Sequence, residues 1–181
     1  MRQVSSAGMY FFLGRLILKE LEPSELPLVE KVAAELPEPY RSAMLGELKK
    51  EDAYLRLRVD YTKTFIQYVH PYESVFRDPS GLLCTDISSE VMRFYRKMGY
   101  EPDLREARVR CGDHLGLELA FVGILLEGGK TAEALQFLEQ HLLKWGPLAG
   151  IAIRETASTP FYSAVGDLVV KFLLEDYENL R

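Results

Sequence analysis

The chain is short of most residues that carry recognisable chemistry. It has two cysteines, Cys84 and Cys111, and three histidines, His70, His114 and His141, in 181 residues. Without a CxxC pair there is no thioredoxin-type motif and no zinc ribbon. The two cysteines read as isolated thiols rather than a disulfide, which suits a reducing cytosol. The residues three before each histidine are Gln67, Cys111 and Leu138. A di-metal carboxylate bundle, which needs Glu-x-x-His pairs on facing helices, is therefore excluded in its usual form. HExxH and GxSxG are absent, so the commonest zinc protease and hydrolase signatures are missing. Gly128-Gly129-Lys130-Thr131 lacks the first glycine of a phosphate loop and reads as a helix stop followed by a helix start. No apolar run reaches the roughly 18–20 residues of a membrane span. Positive charge is also scarce: 22 Lys and Arg against 27 Asp and Glu leave a net charge of −5. A protein that grips nucleic acid is usually basic, so a cationic partner fits this balance better.

What is present is helical periodicity. Hydrophobic residues make up 48% and charged residues 27%, ordinary values for a soluble globular chain. The length fits one compact domain over 1–181. Met9, Phe12, Leu13, Leu16 and Ile17 form the i, i+3, i+4, i+7 stripe of an amphipathic helix, so this segment is read as the first helix rather than a signal peptide. A second helix is expected over 24–36 with Ser24 as N-cap, stopped by Pro37 and Pro39. A third is expected over 40–48. Residues 55–61 alternate like a strand, yet Leu57, Tyr61 and Phe65 also repeat at helical spacing. No partner strand is evident, so 52–66 is read as helix. Residues 68–85 show no period and read as a long loop, a kind of segment that is often functional.

A helix capped near Asp86 or Ser88 should end at Gly99, with 100–112 as loop or a short surface helix. Residues 113–127 are apolar almost all round, as in a helix at the centre of a bundle, with Asp113 as N-cap and His114 partly solvated at the first helical position. Helices over 131–143 and 148–157 and a last one over 161–177 complete the chain, the last opened by Ser158-Thr159-Pro160. The expected fold class is all-α: one bundle of about eight to nine helices.

Two segments stand out. Pro71-Tyr72-Glu73-Ser74-Val75-Phe76 places an aromatic pair and a carboxylate in a loop behind a rigid proline. Asp113-His114-Leu115-Gly116-Leu117-Glu118 places a carboxylate one turn from a histidine on a very apolar helix. Such a carboxylate must be paired or sit at a cleft. Either segment alone reads as well as loop packing or as a polar network tying the loop to the bundle.

Together they resemble the E-x-x-P-Y-x-S-V-[FY] loop and the D-H-x-x-x-E-x-x-[FM] helix of the TorD/DmsD/NarJ-like family of cytoplasmic molybdoenzyme maturation chaperones. Asp60-Tyr61-Thr62-Lys63-Thr64-Phe65 is similar to that family's D-Y-x-x-L-F helix, with Thr64 in the leucine position. Tyr95 with Gly99-Tyr100, the turn carrying Phe137, His141, Leu142, Trp145 and Pro147, and Phe161-Tyr162 follow in the family's order. The acidic residue and proline that often precede the P-Y step are missing from 65–70.

The resemblance implies an all-helical, non-enzymatic protein without a cofactor or bound metal. The implied partner is the apo catalytic subunit of a molybdopterin oxidoreductase, engaged through its N-terminal twin-arginine signal peptide or its remnant, in the cytoplasm. Nucleic acid and membrane insertion are not implied, and monomer and domain-swapped dimer both stay open. Expected peptide-binding residues are Tyr72, Glu73, Ser74, Val75, Phe76, Asp113, His114, Leu115 and Glu118. In this picture Tyr72, Val75, Phe76, Leu115 and Leu119 line an open apolar groove, an apolar leader lies there as a helix, and Glu73, Asp113 and Glu118 hold its arginines. Two other classes remain: a small helical enzyme using Asp113, His114 and Glu118, and a helical transcription regulator reading through Arg93, Arg96 and Lys97.

Overall fold

A computed structural model describes residues 4–181. It contains ten α-helices and, among the described residues, no strand. They are α1 Ser6–Leu18, α2 Leu26–Ala33, α3 Tyr40–Leu48, α4 Ala53–Tyr61, α5 Glu73–Arg77, α6 Asp86–Lys97, α7 Leu115–Glu127, α8 Thr131–Gln140, α9 Gly146–Thr156 and α10 Pro160–Leu180. Short 3-10 turns at Pro23–Glu25 and Leu142–Lys144 and a π-helical segment, Thr62–Tyr68, join them. The all-α expectation holds. The helix beyond the expected eight or nine is α5, which interrupts what reads as one long loop.

The two most extensive helix contacts are α1 on α7 and α9 on α10. Both cross where glycines let the backbones touch. A Cβ on Gly14 would lie 2.9 Å from the Gly116 carbonyl oxygen, and one on Gly166 would lie 2.5 Å from the Arg154 nitrogen. Around α7 an aromatic core closes, with ring centroids 4.5 Å apart for Tyr95–Phe121 and 4.9 Å apart for Phe121–Phe137. Such contacts add roughly 0.5–1.5 kcal/mol each beyond burial.

Residues 55–61 are helical for a tertiary reason. Leu57, Asp60 and Tyr61 turn inward while Leu55 and Val59 stay mostly exposed, so the apparent alternation is an apolar outer face. Asp60 has a specific task. Its Oδ1 accepts the Ser158 N–H at 2.8 Å, and its Oδ2 accepts the Thr159 N–H at 2.8 Å and hydroxyl at 2.6 Å. Thr159 in turn caps α10 by accepting the Tyr162 N–H. One buried carboxylate thus ties α4 to the start of α10. The expected Ser-Thr-Pro opening of α10 is observed, and α3 spans the expected residues.

Two local expectations are corrected. Ser24 does not cap α2. It lies inside a 3-10 turn closed by reciprocal hydrogen bonds between Glu22 and Glu25. Cys84 and Cys111 are not isolated thiols but a disulfide with a Cα–Cα distance of 5.6 Å, within the range a bridge requires. The loop before α6 folds back onto the segment before α7, a proximity that sequence spacing does not reveal. The thiol-based argument for a reducing compartment falls with it.

Candidate functional site

The two segments singled out in the sequence meet. The entry to α5 and the entry to α7 form an antiparallel bridge between Tyr72 and His114. The Glu73 N–H donates to the Asp113 carbonyl at 2.9 Å, and the Leu115 N–H donates to the Pro71 carbonyl at 2.9 Å. Asp113 then reaches across the bridge, where its Oδ2 accepts the Ser74 N–H at 2.8 Å. This satisfies one of the backbone donors that a helix start leaves open. Asp113 therefore caps α5, a helix far from it in sequence, and not α7 as expected.

The α7 cap is His114. Its Nδ1 accepts the Gly116 N–H at 3.1 Å, so the ring hydrogen sits on Nε2. His114 is not partly solvated: it is buried, and desolvation pushes its pKa down to about 3. The Tyr72 ring stands edge-on to it with centroids 4.9 Å apart, and the Tyr72 hydroxyl accepts the Arg110 N–H at 3.2 Å.

Below the bridge sits a second layer. Glu73 is paired with Arg77 one turn on and with His141 Nδ1 at 3.0 Å. Trp145 Nε1 donates to Glu118 Oε2 at 3.1 Å, while Glu118 Oε1 is buried without a hydrogen-bond partner among the described residues. Burial first, then the nearby Glu73 and Asp113 carboxylates, pushes the Glu118 pKa well above its ordinary value. A proton on Glu118 removes the cost of burying another negative charge there. Phe76 packs on Trp145 with ring centroids 5.5 Å apart.

The sequence thus names a real cluster but not its character. Asp113, Glu118, Glu73, Ser74 and Leu115 have no exposed surface, Leu119 has none either, and His114 keeps only 4%. The open groove lined by Leu115 and Leu119 and edged by Asp113, His114 and Glu118 is not formed. Its carboxylates are taken up by a helix start, a histidine, an arginine and an indole. Glu118 is held by Trp145 rather than serving as partner to Asp113 and His114. Tyr72, Val75 and Phe76 alone among the nine expected residues keep part of their surface in solvent. Arg77 was missed, since an i, i+4 spacing to Glu73 means little until both residues lie on a helix. His141 and Trp145 stood out only as parts of a turn.

One cleft touches the edge of the cluster at His141, beside Arg93, Phe94 and Lys97; others run along Leu55, Val59 and Tyr68 and beside Met9 and Phe172, and none of the three is lined by Asp113, His114 or Glu118. Among the described residues, no three His, Cys, Asp or Glu side chains converge to hold a metal ion, and no helix is long and apolar enough to cross a membrane. The shifted pKa values of Glu118 and His114 therefore sit in a packed interior. Acid–base catalysis would need them beside a substrate cavity.

Comparison with known proteins gives consistent matches. A family described as nitrate reductase delta subunit matches residues 29–149, which include both segments of the cluster. The chain is 26% identical to the chaperone protein TorD of Vibrio atlanticus, over 96% of this chain and 94% of that protein. It is 30% identical to the chaperone protein TorD of Aliivibrio salmonicida, over 75% of this chain and 70% of that one. It is also 30% identical to the Tat proofreading chaperone DmsD of Salmonella typhi, over 54% of this chain and 47% of that protein. A crystal structure described as a redox enzyme maturation protein from Archaeoglobus fulgidus superposes with a TM-score of 0.63 at 21% identity, over 96% of each chain. The two share a fold.

Proposed function

We propose, because this chain belongs to the nitrate reductase delta subunit family, that it is a maturation chaperone that binds the N-terminal leader of a molybdopterin oxidoreductase catalytic subunit and holds that subunit while its cofactor is inserted. The observation that carries this reading is similarity along nearly the whole chain to proteins named as chaperones rather than enzymes. The Tat in the name of the Salmonella relative supports a twin-arginine leader as the bound segment. Such a leader is met before export, so the chaperone works in the cytoplasm.

Physical chemistry agrees on the kind of partner. A chain of net charge −5 favours encounter with a cationic segment. Within this reading six of the nine cluster residues have a positioning role and three face the client. Glu73, Ser74, Asp113, His114, Leu115 and Glu118 lock α5 against α7, and the partly exposed faces of Tyr72, Val75 and Phe76 are what α5 offers to a client. The enzyme reading has less support, since the relatives are named as chaperones and its Asp113, His114 and Glu118 are buried.

The test is co-purification with the catalytic subunit of a molybdopterin oxidoreductase from the same genome, expressed without its cofactor. The expected result is a stable complex with the intact apo subunit that is lost when the N-terminal leader is deleted. An intact apo subunit that fails to associate, or that associates equally well without its leader, would overturn the proposal.

A further inference from the structure

If the leader brings arginines, the chaperone needs accessible carboxylates. Glu73, Asp113 and Glu118 are sealed in. The surface gathers several such carboxylates at a cleft where the start of α1, the turn between α2 and α3 and the stretch of α10 from Leu168 to Asn179 come together. Its volume is about 600 Å³, within the usual size of a ligand site. The floor is apolar, formed by Met9, Leu36, Leu168 and Phe172. The rim is acidic: among the described residues that line it, Glu35, Glu38, Glu175 and Asp176 stand with one cation, Lys171, which is drawn over the Tyr40 ring, and Glu38 is paired with Arg41. A shallower depression along Leu174, Glu178 and Asn179 shares Glu175 with the cleft and extends the acidic edge along α10.

The carboxylates differ in how they are held. Asp176 is set into the wall, 7% exposed, where it accepts the Ser6 hydroxyl at 2.8 Å. Glu35 and Glu175 both line the cleft and both stand exposed. By contrast, the cleft along Leu55, Val59 and Tyr68 is lined by Arg58 and Lys63 and by no carboxylate. That field repels an arginine.

We propose that the cleft between α1, the α2–α3 turn and the end of α10 docks the arginine-bearing segment of the client leader, with the guanidinium groups on the Glu35 and Glu175 side and the apolar residues that follow on Met9, Leu36 and Phe172. This rests on the functional reading above. An arginine pair followed by apolar residues matches an acidic rim over an apolar floor, and bidentate guanidinium–carboxylate contacts fix its direction.

The probe is a synthetic leader peptide with an Arg-Arg pair before an apolar run, titrated by fluorescence anisotropy against the full chain. A second peptide carries Gln-Gln in place of Arg-Arg. The doubly substituted protein Glu35→Gln/Glu175→Gln should bind the Arg-Arg peptide about tenfold more weakly, with an unchanged melting temperature because both positions are exposed. It should lose little further affinity for the Gln-Gln peptide, since the charges to be paired are already gone. Phe172→Ala should weaken both peptides alike.

If the wild-type chain binds the Arg-Arg peptide and the doubly substituted protein binds it equally well, the cleft is not the docking surface, while the chaperone reading stands. If the wild-type chain ignores every Arg-Arg leader, both fall. Self-association of the wild-type chain that disappears in the doubly substituted protein, without peptide binding, would give the cleft to a second copy and overturn the proposal.

Discussion

The cluster beneath α5 and the cleft at the end of α10 use the same residue type for opposite ends. In the cluster, Glu73, Asp113 and Glu118 are sealed, and the protein's own groups bind Glu73 and one oxygen each of Asp113 and Glu118, while the other oxygen of those two is buried without a hydrogen-bond partner among the described residues. At the cleft, Glu35 and Glu175 are exposed over an apolar floor. A buried carboxylate held by the protein's own donors fixes local structure and is closed to a partner, whereas an exposed one beside apolar surface costs little to keep and is open to a cation. Sequence motifs pointed at the first group. Accessibility points at the second.

The contrast can be broken by experiments on stability alone. The largest expected effect is at Glu73. Replacing it with alanine leaves buried His141 and half-buried Arg77 without their anion, and losing one partner of a buried pair costs roughly 3–5 kcal/mol. Urea unfolding of Glu73→Ala should show that loss; a change below about 1 kcal/mol would mean the cluster is not the latch described here.

A smaller effect comes from acid. The folded protein keeps His114 neutral down to about pH 3, while the unfolded chain protonates it near its ordinary value of about 6.5. Between those values the unfolded state binds more protons. This contribution to stability is present above the unfolded pKa and is lost as pH falls, by about 1.4 kcal/mol per pH unit. His114→Asn keeps a capping side chain and should flatten the acid limb by one proton. An unchanged limb would place His114 in water.

The smallest effect is at Glu118, whose pKa is raised by burial and by the Glu73 and Asp113 carboxylates. Its contribution is fully present below the ordinary carboxyl range and is lost as pH rises through the raised value. Glu118→Gln keeps the acceptor for Trp145 and never ionises, so at neutral pH it should change stability by less than about 1 kcal/mol in either direction. A loss as large as that of Glu73→Ala would show that Glu118 is buried as an anion.

How much of this was legible depends on the range of the interaction. The apolar stripe of α1, the span of α3 and the Thr159-Pro160 opening of α10 are set within a turn or two of chain, and they appear as expected. Gly14 and Gly116 gave no warning that they are a helix crossing, because each glycine has meaning only when the other backbone arrives. Asp113 looked like the cap of its own helix, yet it caps α5. The Cys84–Cys111 bridge was misread for the same reason.

Helical periodicity and stop signals are local properties of the chain, and from them the sequence by itself determined an all-helical bundle, while the resemblance of two short motifs to one family brought Tyr72, Glu73, Asp113, His114 and Glu118 under suspicion as one group. Whether those side chains would face water was decided only by the tertiary structure. Burial depends on which distant segment comes to lie on top, and here α5 and its loop cover the start of α7, while among the described residues nothing comparable covers the acidic end of α10.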